Sequence, residues 1–217
     1  MKKTFLTGAA ALSLLAAGPA AASSMIFLET FDDEAADGYV SNAPSTFFDQ
    51  FTVTSGSVDI IPQGVFGLSC DGGAGGCVDM DGSSGASGEL TSDLIAIQAG
   101  FDHDVAFAYS GAQRGGADDL MFSIIDEFGG VLFTDTIVGL SFSAPYALYT
   151  HSFSVPVDVS VSLVFETFGN DNQGPLLDSI SVFRLDNPPS DVPLPAAAPL
   201  MALGLAGLGL AARRRKG

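Results

Sequence analysis

The chain has 217 residues, of which 47% are hydrophobic, and 25 acidic against 8 basic residues give it a formal net charge of −17. This length suits one domain with a sizeable core. So acidic a surface repels phosphate backbones and anionic lipids, which excludes nucleic-acid binding.

Residues 1–22 have the composition of a signal peptide. Two lysines form a basic start, Phe5 to Ala17 is a short apolar stretch, and the three alanines at 20–22 suit signal peptidase. The apolar stretch is too short for a membrane anchor. The sequence therefore predicts export, with cleavage before Ser23.

Residues 23–185 are predicted to form the exported domain, which is almost free of basic side chains. Six of the eight basic residues lie in the two end segments, so Arg114 and Arg184 stand against all 25 acidic residues. A net charge of about −23 requires compensation by salt, divalent cations or solvation.

This domain is predicted to be all-β, an antiparallel β-sandwich of the jelly-roll type. Val, Ile, Phe, Thr and Tyr recur in short stretches between Gly, Asp, Asn and Pro turns, and no helical period is convincing. Phe51–Val58 and Asp158–Phe165 alternate apolar and polar residues. The other predicted strands are 77–80, 88–97, 104–109, 120–125, 131–138, 148–155 and 177–185.

The two cysteines, Cys70 and Cys77, are separated by a glycine-rich spacer of six residues. Such a spacer lets the thiols meet, and an exported domain is in an oxidising compartment. We predict a disulfide that closes a small loop. A metal site is the less favoured alternative, because no histidine or further cysteine lies nearby in the sequence.

The segment after the domain predicts a spacer, a membrane span and a cytoplasmic tail. Residues 186–195 are rich in proline and form an extended linker. Residues 196–212 are an apolar run of about 25 Å as a helix, which is close to one bilayer crossing. The basic residues at 213–217 hold the terminus on the cytoplasmic side.

Val192, Pro193, Leu194, Pro195 and Ala196, followed by one apolar span and an arginine cluster, resemble the VPLPA-type relatives of the PEP-CTERM sorting signals. The resemblance implies that an exosortase-type enzyme reads this motif. The protein would be anchored in the inner membrane before processing and would then reach the cell surface, the outer envelope or the extracellular matrix. A plain C-terminal anchor is the alternative.

The domain itself resembles galactose-binding-like and carbohydrate-binding modules. The residues that carry the resemblance are Phe51–Ile60, Cys77–Ser83, Phe107–Gly116 and Gly174–Val182. The resemblance implies a jelly roll that binds glycan or an envelope component.

Modules of this type often hold one structural calcium between the first and the last strand. The resemblance therefore implies a calcium site of Glu29, Asp32 and Asp178. Calcium prefers hard oxygen ligands, and a carboxylate beside an apolar strand is hard to leave unpaired. The alternative is that Glu29 and Asp32 are surface acids and that Asp178 caps a turn.

Gln113 and Arg114 are the candidate ligand-binding residues. The guanidinium is a planar, bidentate donor that suits a glycan or a carboxylate. The simpler interpretation of Arg114 is an ion pair with Asp118, Asp119 or another of the many acids.

No motif in the sequence predicts catalysis. Gly-x-Ser-x-Gly, His-Glu-x-x-His and a phosphate loop are absent. His103, between two aspartates, is interpreted as part of a solvated turn rather than as a metal ligand. Asp79-Met80-Asp81-Gly82 resembles part of an EF-hand loop, but the downstream glutamate is at the wrong position.

The sequence therefore favours a non-catalytic cell-surface or extracellular-matrix protein that binds glycan. The alternatives are a secreted polysaccharide-active hydrolase, with its acid pair hidden among the carboxylates, and a purely structural coat protein. Calcium is the one cofactor expected.

Overall fold

The computed structural model of the protein describes residues 23–169 and 171–186. Within this part the chain forms fourteen strands, one short α-helix and two 3-10 helical turns at Val65–Gly67 and Asp71–Gly73. The predicted signal peptide, the linker beyond Asp186, the sorting motif, the membrane span and the basic tail lie outside the described residues. In the part that the structure describes, no helix is long and apolar enough to cross a membrane.

The elements follow one another in chain order, and their bounds are as follows: β1 Ser23–Glu29, α1 Asp32–Ala36, β2 Val40–Asn42, β3 Phe47–Phe48, β4 Phe51–Ser55, β5 Val58–Pro62, β6 Gly76–Asp79, β7 Glu89–Ser92, β8 Ile95–Ile97, β9 Asp102–Ser110, β10 Ala117–Asp126, β11 Val131–Ser141, β12 Ala147–Ser154, β13 Val159–Thr167 and β14 Leu176–Leu185.

The strands form two antiparallel sheets of seven strands each. The first sheet has the order β12-β9-β14-β6-β5-β2, and β1 pairs with β14 beside β6. The second sheet has the order β11-β10-β13-β7-β4-β3, and β8 pairs with β13. This architecture confirms the prediction of an all-β chain built as two antiparallel sheets.

The predicted alternation is correct in the second half of the chain. In β13 the side chains of Val161, Leu163 and Phe165 are buried on one face, as the sequence pattern predicts. The prediction of one strand over Phe51–Val58 is wrong. The chain turns at Gly56, whose φ of +59° ends β4, and Ser87 O lies only 1.8 Å from the position of a Cβ there.

Phenylalanine fills the space between the two sheets. The rings of Phe107, Phe122 and Phe165 lie with centroids 5.0 to 5.1 Å apart, and Phe107 belongs to the first sheet while the other two belong to the second. Aromatic pairs at these distances add to the free energy gained by burial. The sequence has 17 phenylalanines and no tryptophan, and this cluster is where several of them meet.

Strand pairing defines the two ends of the sandwich. At one end, which we call the exit end because the chain leaves the domain there, Ser23 pairs with Leu185, so the first and last described strands meet. At the opposite end, which we call the far end, β14 begins at Leu176, which pairs with Asp79 on one side and with Ser110 on the other. The loops that follow β6, β9, β11 and β13 therefore lie at the far end, opposite the point where β14 finishes.

Replacing Phe122 with alanine should destabilise the domain by about 3–5 kcal/mol, because the ring is 1% exposed and leaves a cavity between the sheets. Phe128, which is 86% exposed in a turn, is the matched control, and its alanine variant should change stability by about 0.5 kcal/mol or less. Urea unfolding measures both. Equal effects would contradict this description of the core.

Candidate functional site

Three carboxylates from separate segments converge next to the end of β1. Glu29 ends β1, Glu34 lies in α1, and Asp49 lies in the turn between β3 and β4. One oxygen from each of the three lies within 4.8 Å of the others. We call this group the carboxylate cluster.

The carboxylate cluster carries more negative charge than its hydrogen bonds offset. Glu29 is 4% exposed, and its Oε1 accepts a hydrogen bond of 2.7 Å from the Phe31 amide. Its Oε2 and the Oε2 of Glu34 are buried without a donor. Burial is the largest cause that raises the pKa of Glu29 to about 7; the Phe31 amide lowers it, and the Asp49 and Glu34 carboxyls raise it further.

The structure does not place the other two predicted calcium ligands in this cluster. Asp32 Oδ1 accepts a hydrogen bond of 2.9 Å from the Gly76 amide. Asp178, which is buried in β14, accepts one of 3.0 Å from the Asp71 amide and one of 3.1 Å from the Ser179 hydroxyl. Both side chains thus have partners elsewhere.

Glu34 and Asp49 are the residues that sequence reasoning missed. Glu34 is in the same acidic stretch as Asp32, and the five-residue helix α1 decides which of these carboxyls points towards Glu29. Asp49 lies twenty residues after Glu29 in the sequence and has a positive φ of 42° in its turn. A polar residue in such a turn is a weak sequence signal, since it also suits an ordinary loop.

Gln113 and Arg114, the predicted ligand-binding pair, already have protein partners. The Gln113 amide spans the backbone of Ser69, accepting from its N–H at 2.9 Å and donating to its carbonyl at 2.7 Å. Arg114 forms an ion pair with Asp79 and donates to the Asn172 carbonyl at 3.0 Å. The simpler interpretation of Arg114 as an ion pair therefore holds, with Asp79 as its acid.

Asp79 is a second buried carboxyl with an unusual affinity for protons. Burial raises its pKa to about 7, although the Arg114 guanidinium and the amides of Asp81 and Gly174 lower it. The Gly174 amide donates to Asp79 Oδ1 at 2.9 Å and the Asp81 amide at 3.2 Å. Asp79 thus joins the loop after β6 to the loop before β14.

The predicted disulfide between Cys70 and Cys77 is confirmed, with the two Cα atoms 5.4 Å apart. Both cysteines are buried against Ile61, Leu68 and Leu176. The bridge closes the loop that contains Asp71, whose amide donates to Asp178.

A cavity with a volume of about 520 Å³ lies where β1 of the first sheet faces β8 of the second. We call it the edge cavity. Its lining combines hydrogen-bonding groups with apolar side chains, among them Gln50, Asp93, Leu94, Gln98, His103 and Arg184. A volume of this size is typical of small-molecule sites.

Arg184 is held rigidly in the wall of the edge cavity. Its Nη1 donates to Gln98 Oε1 at 2.6 Å, its Nε donates to Asp186 Oδ1 at 3.0 Å, and its guanidinium lies 4.8 Å from the centre of the Phe101 ring. A guanidinium fixed on an aromatic face is a preorganised donor.

His103 corrects the sequence interpretation, because it is fully buried in β9 and not part of a solvated turn. Neither ring nitrogen completes a hydrogen bond with a described residue. Burial lowers the pKa of His103, with the Phe101 carbonyl acting in the opposite direction. The ring is therefore neutral near pH 7 and adds a polar group to the lining of the edge cavity.

Comparisons with known proteins find likeness to solved structures only. No family model matches the chain. No curated protein is similar to it. The CBM22-1 xylan-binding domain of Paenibacillus barcinonensis Xyn10C is 11% identical, with a TM-score of 0.46 over 78% of this chain and 100% of that domain.

Two further solved structures are of the same kind. The CBM22-1–GH10 modules of Clostridium thermocellum Xyn10B, complexed with xylohexaose, are 14% identical, with a TM-score of 0.42 over 77% of this chain and 30% of that one. The module CBM6cm-2 of Cellvibrio mixtus lichenase 5A, complexed with cellotriose, is 15% identical, with a TM-score of 0.37 over 66% of this chain and 95% of that one. All three TM-scores lie below 0.5.

The pKa of Glu29 predicts how stability depends on pH without metal. Its folded pKa of about 7 exceeds the ordinary value of 4.5, so between these values the folded state keeps a proton that the unfolded state releases. The contribution of Glu29 to stability is therefore fully present below pH 4.5 and is lost as the pH rises through 7. In Glu29→Gln this contribution is absent. As the pH increases across that range, the melting temperature of the variant should therefore rise relative to that of the wild type.

Thermal melts in a chelator at several pH values measure this difference. The control is Glu127→Gln, because Glu127 is exposed and the variant should follow the wild type at every pH. A difference between Glu29→Gln and the wild type that does not change with pH would contradict the assigned pKa.

Proposed function

We propose that the protein is an exported, non-catalytic glycan-binding protein of the cell surface or extracellular matrix. The observation that carries this proposal is the edge cavity, with its fixed guanidinium, its amide side chains and its apolar wall.

The edge cavity has the chemistry that a neutral sugar requires. Sugar hydroxyls form hydrogen bonds with planar polar groups. The amides of Gln50 and Gln98 can donate and accept such bonds, and the carboxylate of Asp93 can accept them. Leu94, which is 59% exposed, offers an apolar surface for the C–H face of a ring. A few fixed polar groups on an apolar lining are typical of ligand sites.

A binding role is better supported than hydrolysis. Most glycoside hydrolases need two carboxyl groups that flank the scissile bond. Among the described residues that line the edge cavity, Asp93 is the one carboxylate. The carboxylate cluster favours the hydrolase alternative in one respect, because the raised pKa of Glu29 resembles that of a general acid, but both Glu29 oxygens are shielded from solvent.

Export and sorting are proposed from the sequence. The signal peptide of residues 1–22 would direct export, and an exosortase-type enzyme would read Val192–Ala196 while residues 196–212 hold the chain in the membrane. Ser23, the first residue after the proposed cleavage site, already pairs with Leu185, so removal of the signal peptide leaves β1 intact.

We also propose that the carboxylate cluster holds one structural calcium ion, bound by Glu29, Glu34 and Asp49 rather than by Asp32 and Asp178. The proposal is supported by the three converging oxygens and by the two buried oxygens without donors. Calcium accepts such carboxylates together with carbonyls and water. The ion would tie β1, α1 and the turn before β4 together, beside Gln50 in the wall of the edge cavity.

The glycan proposal predicts that Gln98→Ala weakens binding of soluble xylan or cello-oligosaccharides about tenfold. The variant loses the hydrogen bond that holds the Arg184 guanidinium in the cavity wall, and a hydrogen bond to a charged group contributes about 1.5 kcal/mol or more. Gln173→Ala, at the far end, is the matched control and should bind as the wild type does. Affinity electrophoresis and calorimetry measure both. If the wild type bound no polysaccharide, the glycan proposal would be wrong and the structural coat protein would be the remaining alternative. Hydrolysis of a polysaccharide would favour the hydrolase.

The calcium proposal predicts opposite effects of one substitution in the two states of the metal. At pH 8, Glu29→Gln should raise the melting temperature of the metal-free protein, because it removes a buried charge beside two others. It should also abolish most of the stabilisation that millimolar calcium gives to the wild type and to Glu127→Gln. Equal stabilisation of Glu29→Gln and the wild type by calcium would contradict the proposal.

A further inference from the structure

β12 is a free sheet edge that has no part in the proposed function. It ends the order of the first sheet and pairs with β9 alone among the described strands. All eight of its residues, from Ala147 to Ser154, lie opposite residues of β9 without a register shift. Its other side therefore carries a row of N–H and C=O groups that pair with no described strand, and such a row is a template for a further strand.

The other strands with a single described partner are protected against such pairing. β2, β3 and β8 have only two or three residues, and the pairing of β1 shifts register between Met25 and Phe27. β11, the edge strand of the second sheet, has two register shifts, and its Asp135 is turned towards the Tyr149 hydroxyl of β12. Short strands, bulges and inward charges are the usual means of blocking an edge. β12 has none of them, and it contains no proline or lysine.

Aromatic rings hold β12 in place from the inner side. The His151 ring stacks on Phe133 of β11, with centroids 3.5 Å apart, and the Tyr149 ring stacks on Phe107 with centroids 4.7 Å apart. The Tyr149 hydroxyl also donates to Asp135 Oδ2 at 2.7 Å. The strand is thus preorganised for pairing, so little conformational entropy is lost when a further strand docks.

Charge favours a second copy of this chain as the partner. Two domains of this acidity repel each other, so they can meet only where acidic side chains are absent or occupied. β12 contains none of the 25 acidic residues. Asp104 of β9 and Asp135 of β11, on the neighbouring strands, accept hydrogen bonds from Ser152 and Tyr149 of β12. A basic partner would instead be attracted to the acidic faces elsewhere on the domain.

The segments of the chain beyond the described residues do not suit this edge. Residues 187–195 contain four prolines, and proline has no N–H to donate to a ladder. Residues 1–22 and 196–212 are the predicted signal peptide and membrane span. A second copy of β12 can pair with the first about a two-fold axis, which is the commonest symmetry of soluble homo-oligomers.

We propose that two copies of the protein associate through β12, so that the first sheet continues from one copy into the other. The favoured antiparallel register is centred on His151. Tyr149 then lies opposite Phe153 of the second copy, and Thr150 lies opposite Ser152 of that copy. Aromatic and hydroxyl pairs of this kind stabilise neighbouring strands. Burial lowers the pKa of His151, so the two facing imidazoles are neutral near pH 7.

This association leaves the edge cavity open, because none of its described lining residues belongs to β11 or β12. A dimer would present two such cavities, and a polysaccharide that reaches both would bind with higher avidity than to one. This consequence rests on the proposed function, whereas the association itself does not. Because a strand of eight residues is about 27 Å long, the interface is small and we expect a reversible dimer.

Sedimentation velocity of the full chain in a mild detergent, over a wide range of concentration, tests the proposal. The wild type should pass from monomer to dimer as the concentration rises. Thr150→Lys, at an exposed position of β12, should stay monomeric, because it places a lysine from each copy at the paired strands with no acid opposite. Val40→Lys is the matched control and should dimerise as the wild type does, since Val40 is an exposed residue of β2, at the other end of the same sheet.

A wild type that stays monomeric at every concentration would overturn the proposal. Equal dimerisation of Thr150→Lys and the wild type would also overturn it, because association through the predicted membrane span would persist in that variant.

Cysteine cross-linking tests the register. His151→Cys should form a disulfide between two copies, because facing residues of paired strands have Cα atoms about 4.5–5.5 Å apart, which suits a disulfide. Leu148→Cys is the control and should not cross-link, because in this register it lies six residues, roughly 20 Å, from its own copy. Cys70 and Cys77 are buried and bonded to each other, so they do not interfere. Equal cross-linking of both variants, or of neither, would contradict the proposed pairing.

Discussion

Buried carboxylates have to be satisfied in this domain almost without basic side chains, because the described residues include two arginines. Arg114 neutralises Asp79, and the other buried acids depend on backbone amides and hydroxyls. Asp59 accepts from the Ser83 amide at 3.1 Å and from the Tyr39 hydroxyl at 3.0 Å, and Asp178 accepts from the Asp71 amide. Hydrogen bonds to a charged acceptor are stronger than neutral ones, so these contacts connect loops that contain little secondary structure.

Amides and hydroxyls do not suffice in the carboxylate cluster. There, two buried oxygens lack donors among the described residues while a further carboxyl lies close by. A proton can relieve one of these charges, in line with the raised pKa of Glu29. A divalent cation would relieve several at once, because calcium accepts carboxylate oxygens together with carbonyls and water. The acidity of the chain and the proposed metal site thus have one physical origin.

The two described arginines lie at opposite ends of the sandwich and have different roles. The edge cavity contains Arg184, the second arginine, near the exit end, whereas Arg114 works at the far end as a structural ion pair. A glycan in the edge cavity would therefore contact β1, β8 and β14, at the end of the described domain opposite to the Arg114–Asp79 pair. Neither arrangement depends on the loops that Gln113 and the disulfide connect.

The sequence alone determined the fold class, most of the strands of the second half, and the disulfide. Long stretches such as Val159–Thr167 alternate so regularly that local pattern and tertiary burial agree, and a short glycine-rich spacer leaves the two cysteines few other arrangements. It also determined the shortage of basic residues. Strands of the first half were missed or merged, because β2 and β3 have only 3 and 2 residues and Gly56 interrupts an alternating run.

Only the tertiary structure decided which carboxylates meet. With 25 acids in the chain, sequence spacing cannot select partners, and Glu29 joins Asp49 and Glu34 because α1 and a strained turn bring them to the end of β1. Strand and disulfide formation depend on local chemistry, whereas charge clusters depend on contacts between distant segments, and those exist only once both sheets are packed.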